Sequence, residues 1–95
     1  MTLKSKIRKE VKSSYKKYNC DFYCDNWGKT YTLEEDHGGI LYVKLNCNYP
    51  DVGFNLSRII LDIQKRFTEM ELVIIQGEAS ENFYTFTVIP WELLD

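Results

Sequence analysis

The sequence contains no long apolar run and no recognisable targeting segment. No stretch approaches the roughly 20 apolar residues that a helix needs to cross a bilayer. Residues 1–18 lack the apolar middle of a signal peptide. We therefore expect a cytoplasmic protein without a membrane partner.

The chain has few residues of the types that hold metal ions. His37 is the only histidine, and the cysteines number three, an odd count that fits a reducing compartment. Cys20 and Cys24 would lie roughly 13 Å apart on an extended strand. Bonds of about 2.3 Å to one zinc ion need ligands much closer together. We expect no metal site and no cofactor, and we interpret Cys20, Cys24 and Cys47 as small buried side chains.

The sequence also lacks a recognisable catalytic arrangement. His37 follows the acidic run 34–36, but acid–base catalysis also needs a nucleophile or an oriented water in a concave pocket. Gly38 and Gly39 stand alone and do not precede a helix, so they do not form a phosphate-binding loop. We expect a protein without enzymatic activity.

The length and composition indicate one folded domain. Ninety-five residues suit a single compact core. A hydrophobic content of 44% and an aromatic content of 15% argue against disorder. We find no repeat or interdomain linker, and we expect one domain over residues 1–95.

The opening segment predicts a basic amphipathic helix. Its apolar residues recur every three or four positions and lie within one third of the helix circumference: Leu3, Ile7, Val11, Tyr15 and Tyr18. The helix should end near Asn19, which tolerates the left-handed conformation. Residues 2–18 hold seven of the twelve Lys and Arg residues and one of the fourteen Asp and Glu residues. Such asymmetry suggests contact with a charged partner.

Alternation and turn residues predict five strands and a second helix. The strands are predicted at Cys20–Asp25, Thr30–Glu35, Ile40–Asn48, Glu71–Gln76 and Phe83–Ile89. The turns are predicted at Asn26–Lys29, Asp36–Gly39 and Gly77–Asn82. Apolar spacing from Leu56 to Phe67 predicts the second helix, after a loop at Tyr49–Gly53 and with Asn55 or Asp51 as its N-cap. Pro90 should end the last strand.

The predicted fold class is α+β, with the order α-β-β-β-α-β-β. The simplest arrangement is one antiparallel sheet with both helices on one face. The other face of the sheet then meets water, and it would carry Asp21, Tyr23, Asp25, Tyr42 and Lys44.

Acidic and aromatic residues predicted on that open side support a first functional hypothesis. Carboxylates on a rigid sheet can occupy a cationic groove of another protein by imitating a phosphate chain. The residues predicted to form this site are Asp21, Tyr23, Asp25, Trp27, Glu34, Glu35, Asp36 and Tyr42. In build the chain resembles small acidic inhibitors encoded by phages, including anti-CRISPR proteins. The resemblance implies an inhibitor from a phage or mobile element that blocks a nucleic-acid-handling host protein.

The basic helix supports an alternative, a nucleic-acid-binding protein whose cations neutralise phosphates. The residues predicted for this role are Arg8, Lys9, Lys12 and Lys16. The α-β-β-β-α order resembles the layout of double-stranded-RNA-binding domains, which implies nucleic acid as the partner. The basic cluster of that family is missing, because the second helix offers only Arg58, Lys65 and Arg66. A further alternative is a homodimeric chaperone or assembly factor.

Overall fold

The computed structural model describes residues 2–18, 31–46, 50–80 and 83–93, with the side chains of 50–55 excepted. The elements are α1 (Leu3–Lys17), β1 (Tyr31–Glu35), β2 (Leu41–Asn46), α2 (Pro50–Glu69), β3 (Leu72–Ala79), β4 (Phe83–Pro90) and a 3₁₀ turn (Trp91–Leu93). The strands form one antiparallel sheet in the order β1-β2-β4-β3. The α+β class is confirmed. The strand predicted at Cys20–Asp25 lies outside the described residues, so the described order is α-β-β-α-β-β.

Helix α1 forms where the sequence predicts it. Thr2 is its N-cap, and the Thr2 Oγ1 accepts a hydrogen bond of 3.2 Å from the Ser5 amide. Ile7, Val11 and Tyr15 are fully buried, which confirms the predicted apolar stripe. Ser14 is buried with them because helix α2 passes close by, and its Oγ donates to the Ile59 carbonyl at 3.2 Å.

Helix α2 begins earlier than predicted. The predicted loop Tyr49–Gly53 is wrong from Pro50 onward, because Pro50 opens the helix. Proline suits this first position since its fixed φ is already helical and its missing amide would have no partner there. The predictions of Asn55 or Asp51 as the N-cap are also wrong, because both residues lie inside the helix.

The β1–β2 hairpin is confirmed at the predicted place. Leu33 lies opposite Val43, and Glu34 lies opposite Tyr42. In the turn, one Asp36 carboxylate oxygen accepts from the amides of Gly38 at 2.8 Å and Ile40 at 3.0 Å. The backbone of the turn has a positive φ of 87° at Gly39, a conformation that favours glycine.

The β3–β4 hairpin is longer than predicted. Strand β3 continues through Gly77 to Ala79, so the predicted turn Gly77–Asn82 begins too early. The pairing register shifts between Gln76 and Ala79. There the Thr85 Oγ1 accepts from the Glu78 amide at 2.7 Å, so a side chain of β4 supports the irregular stretch of backbone.

Both helices cover the same face of the sheet, as predicted. The buried side chains from the helices are Ile7, Val11, Tyr15, Ile59, Ile63 and Phe67. Those from the two central strands are Leu41, Val43, Leu45, Tyr84, Phe86 and Val88. Pairing of Leu41 with Val88 and of Val43 with Phe86 places the strand residues on one face. Tyr42 and Lys44 consequently face away from the helices.

Candidate functional site

The solvent-facing side of α1 carries cations and hydroxyl groups. Arg8, Lys9, Lys12 and Lys16 are all exposed. With 3.6 residues per turn, these four side chains lie within a sector of about 100° that runs from Arg8, at the edge of the buried stripe, to Lys9, on the far side of the helix. Ser5 is exposed beside them. From Arg8 to Lys16 the row is about 12 Å long, at a rise of 1.5 Å per residue.

These four cations are available for an external partner as far as the described residues show. None of them forms an ion pair with another described residue. Two other cations of α1 are engaged, because Lys4 pairs with Glu35 at 3.1 Å and Lys17 pairs with Asp62 at 3.0 Å. The row of Arg8, Lys9, Lys12 and Lys16 therefore does not include Lys4 and Lys17, whose ion pairs hold α1 to the rest of the domain.

A network of charges joins α1 to α2. The Arg66 Nε donates to Asp62 at 2.7 Å, and the Arg66 Nη1 donates to Glu10 at 2.9 Å. Asp62 also accepts from Lys17 at 3.0 Å and is 8% exposed. Desolvation raises the pKa of Asp62, but hydrogen bonds from Arg66, Lys17 and Ser14 outweigh it and lower the pKa to about 2. The network fixes α1 in place and occupies Glu10, the one carboxylate of that helix.

The acidic site predicted at the β1–β2 hairpin is divided between two sides of the sheet. Glu34 lies opposite Tyr42 on the open face, where Tyr42 is 46% exposed. Glu35 lies opposite Leu41 on the helix side and pairs with Lys4. The structure therefore brings Glu34 and Tyr42 together and separates Glu35 from them.

Asp36 has a structural role in the hairpin turn. The Tyr42 hydroxyl donates to the second Asp36 carboxylate oxygen at 3.2 Å. The hydrogen bond from the Ile40 amide is the main cause of the lowered pKa of Asp36. The hydrogen bond to Asp36 raises the pKa of Tyr42. Asp36 thus serves first to close the turn and to orient Tyr42.

The open face of the sheet carries a shallow groove of about 220 Å³. Its lining includes Glu34, Tyr42 and Thr87. Beside it, the Lys44 Nζ lies 4.7 Å from the centroid of the Phe83 ring. Lys44 is the only Lys or Arg in the described strands. It lies opposite Thr32 of β1 and Thr85 of β4 on the open face.

Several predicted site residues lie outside the described residues. They are Asp21, Tyr23, Asp25 and Trp27, and the cysteines Cys20, Cys24 and Cys47 fall outside as well. His37 is exposed in the hairpin turn. Within the described parts of the chain, no group of three or more His, Cys, Asp and Glu side chains is placed to hold a metal ion. No helix in those parts is long and apolar enough to cross a membrane.

The sequence-based site omitted two cations of α2 that the structure exposes. Arg58 and Lys65 are both exposed, and neither forms an ion pair with a described residue. Their spacing of seven residues places them on one side of a helix. That side lies away from the buried Ile59 and Ile63, so the apolar periodicity could have identified both.

Comparisons of the chain with protein-family models, with curated proteins and with solved structures find no match. The similarities to double-stranded-RNA-binding domains and to phage inhibitors therefore remain resemblances of layout and composition.

Proposed function

We propose that the protein binds nucleic acid through the outer face of α1. The observation that carries this proposal is the exposed row of Arg8, Lys9, Lys12 and Lys16, which forms no ion pair with a described residue. The nearest carboxylate on the same helix, Glu10, is occupied by Arg66. The row therefore offers a positive surface, with Glu34 of β1 bordering it beside Arg8.

Phosphate is the chemistry that suits this surface best. Lys and Arg side chains neutralise backbone phosphates and release condensed counterions. The hydroxyl of Ser5, exposed beside the row, can donate to a phosphate oxygen. Four such contacts would give a slope of log affinity against log salt of about −3.6 on a DNA duplex and about −2.8 on a single strand.

The acidic part of the molecule favours one orientation. Glu78 lies on the edge strand β3, at the far edge of the sheet from β1, whereas Glu34 of β1 lines the same pocket as Arg8. Repulsion between the Glu78 carboxylate and phosphates would turn the β3 edge away from the nucleic acid. The net charge of −2 is then compatible with binding, because the nucleic acid would lie close to the cations of α1 and far from most of the carboxylates.

The test is the double variant K12Q/K16Q, which replaces two positive charges of α1 by neutral amides. We expect weaker binding of labelled DNA and RNA, and a salt slope smaller in magnitude by about 2. Fluorescence anisotropy over a series of salt concentrations measures both quantities. The control is K44Q, which removes a charge from the opposite side of the domain and should leave binding unchanged. Absence of wild-type binding at low salt, or an equal effect of K44Q, would contradict the proposal.

A second candidate is a protein-binding inhibitor that uses the acidic hairpin. The observation that favours it is that the Tyr42 hydroxyl donates to Asp36 while Glu34 lies directly opposite Tyr42. Three of the residues predicted for that site thus form one patch. Its partner would be a host protein with a cationic groove that normally handles nucleic acid.

The second candidate is tested with E34K/Y42A, because substitution of Asp36 would damage the turn itself. A cationic partner captured by the wild-type protein from a host lysate should be lost with E34K/Y42A. The same partner should still bind to K12Q/K16Q. The control E78K reverses an exposed charge on β3, and it should retain the partner. Equal capture by E34K/Y42A and by E78K would exclude the hairpin as the binding site.

A further inference from the structure

The outer edge of strand β3 has no described strand beside it. The sheet order places β3 at one end, where it pairs with β4 alone among the described strands. The regular part of this edge is Leu72–Gln76. Glu71, with a positive φ of 60°, precedes it, and the pairing register shifts after Gln76. This stretch is therefore the part of β3 on which a further strand can be added in a regular ladder.

The hydrogen-bond pattern shows which backbone groups of β3 point outward. The Trp91 amide donates to the Glu71 carbonyl at 3.3 Å, in the same register as the pairs from Leu72 to Gln76. Antiparallel pairs alternate between bonded and non-bonded positions, so Val73 and Ile75 are the next residues bonded to β4. The residues whose amide and carbonyl groups point away from β4 are Leu72, Ile74 and Gln76.

The edge lacks the residues that commonly prevent strand pairing. Edge strands of soluble proteins are usually protected by charged side chains or proline, and Leu72–Gln76 contains neither. Ile75 lies opposite Thr87 on the open face and is 52% exposed. Strand β1, at the other end of the described sheet, carries Glu34 and Glu35 instead. Of these two strands, β3 is therefore the one suited to pairing.

We infer that β3 pairs antiparallel with β3 of a second copy of the chain, with the two-fold axis beside Ile74. A two-fold contact uses the same patch on both copies. With the axis at Ile74, Leu72 lies opposite Gln76 of the other copy and Ile74 lies opposite itself. All three outward residues then exchange hydrogen bonds. An axis one residue away on either side would pair only two of them, so the regular edge selects this register.

The side chains suit the same register. Val73 of one copy lies opposite Ile75 of the other on the open face, and β-branched side chains pack well against neighbours on a pleated surface. Leu72–Gln76 contains no carboxylate that could repel its counterpart across the contact. Each copy uses one edge, so the association closes at two copies and joins the two four-stranded sheets. This inference is independent of the proposed function, because the contact involves neither helix.

The first test is sedimentation equilibrium of the wild-type protein from roughly 10 μM to 1 mM, which brackets a weak interface. We expect the average mass to rise toward twice the monomer mass. The variant I75K introduces a charge at the edge twice in each dimer, and it should weaken dimerisation at least about tenfold. The matched control L61K changes an aliphatic residue that is 66% exposed on α2. It should dimerise like the wild-type protein.

The second test determines the register by disulfide cross-linking of V73C with I75C. In the inferred dimer these positions face each other at a Cα separation of about 4.5 Å, which a disulfide can span. Two copies of position 73 are diagonal neighbours about 7 to 8 Å apart, which is too far. A mixture of V73C and I75C should therefore cross-link under mild oxidation, and either variant alone should not. The wild-type protein controls for the native cysteines, and mass spectrometry identifies the linked pair.

The outcomes decide the inference separately from its details. A wild-type protein that is monomeric at every concentration would overturn it and leave the edge to a strand of a different protein or to another segment of this chain. A dimer that I75K and L61K affect equally would also overturn it, because the contact would then lie elsewhere. Cross-linking of one variant alone as strongly as of the mixture would contradict the axis at Ile74. Circular dichroism verifies that each variant retains the fold.

Discussion

At the scale of single residues, Asp62 shows how the fold uses a charge that the sequence presents as an ordinary surface acid. The residue is 8% exposed and accepts hydrogen bonds from Arg66 and Lys17. Its pKa is lowered from 3.8 to about 2. A carboxyl whose pKa is lower in the folded than in the unfolded state stabilises the fold once the pH exceeds its unfolded pKa. That stabilisation is lost as the pH falls from about 4 toward 2.

The variant D62N should remove this stabilisation. At pH 7 we expect the free energy of unfolding to fall by about 2 kcal/mol, since one pKa unit corresponds to about 1.4 kcal/mol. Near pH 2 the variant and the wild-type protein should differ much less. Urea unfolding at several pH values measures both quantities. The control E69Q changes an exposed acid of the same helix and should have little effect. A D62N penalty that is the same at pH 2 and pH 7 would show that the charge of Asp62 is not its cause.

At the scale of elements, strand β3 contains a glycine that the local sequence wrongly assigns to a turn. Gly77 is a turn residue by composition, but it lies inside β3. A Cβ atom at Gly77 would lie 2.5 Å from the Thr85 Oγ1 and 3.2 Å from the Thr85 carbonyl oxygen. Glycine is therefore needed for close approach to β4 and not for a turn.

The variant G77A should destabilise the β3–β4 hairpin. The methyl group collides with Thr85, and we expect a loss of about 1 to 3 kcal/mol, as for other overpacked sites. Thermal and urea unfolding measure the loss. The matched control is G38A, whose Cβ would meet nothing closer than an Asp36 carboxylate oxygen at 3.5 Å. Equal stabilities for the two variants would mean that the close approach at Gly77 does not constrain the strand.

Helix and strand patterns could be predicted wherever one side of an element is buried. Ile7 and Val11 on α1, and Leu41 and Val43 on β2, are buried at the predicted periods. The start of α2 could not be predicted in this way. Pro50 suits a loop as well as a first helical position, and the local sequence does not distinguish the two.

At the scale of the whole molecule, the charges are sorted by the way in which the elements pack. The cations that form no ion pair with a described residue, such as Lys12 and Lys65, lie on the helices, while Glu34 and Glu78 belong to the sheet. This separation allows a protein of net charge −2 to present a strongly positive side. The proposed nucleic-acid partner depends on this arrangement more than on the total charge.

The candidate site could be predicted from the sequence only in part. The α1 row follows from periodicity, because a buried stripe leaves the cations on the opposite side. The acidic site fails to assemble as one surface because neighbouring strand residues point to opposite faces. Glu34 and Glu35 therefore cannot share a face, and Glu35 meets Lys4 instead.

The α+β class, the amphipathic character of α1 and the alternation of β2 follow from local periodicity, which can be recognised in the sequence. Which charges of the described residues form ion pairs depends on tertiary contacts. Glu10 and Arg66 are 56 positions apart, and Lys17 and Asp62 are 45 apart, so their pairing depends on how the helices pack. The same packing leaves Arg58 and Lys65 exposed on α2. Pairing across such separations has no local signature, because it arises from the three-dimensional contact alone.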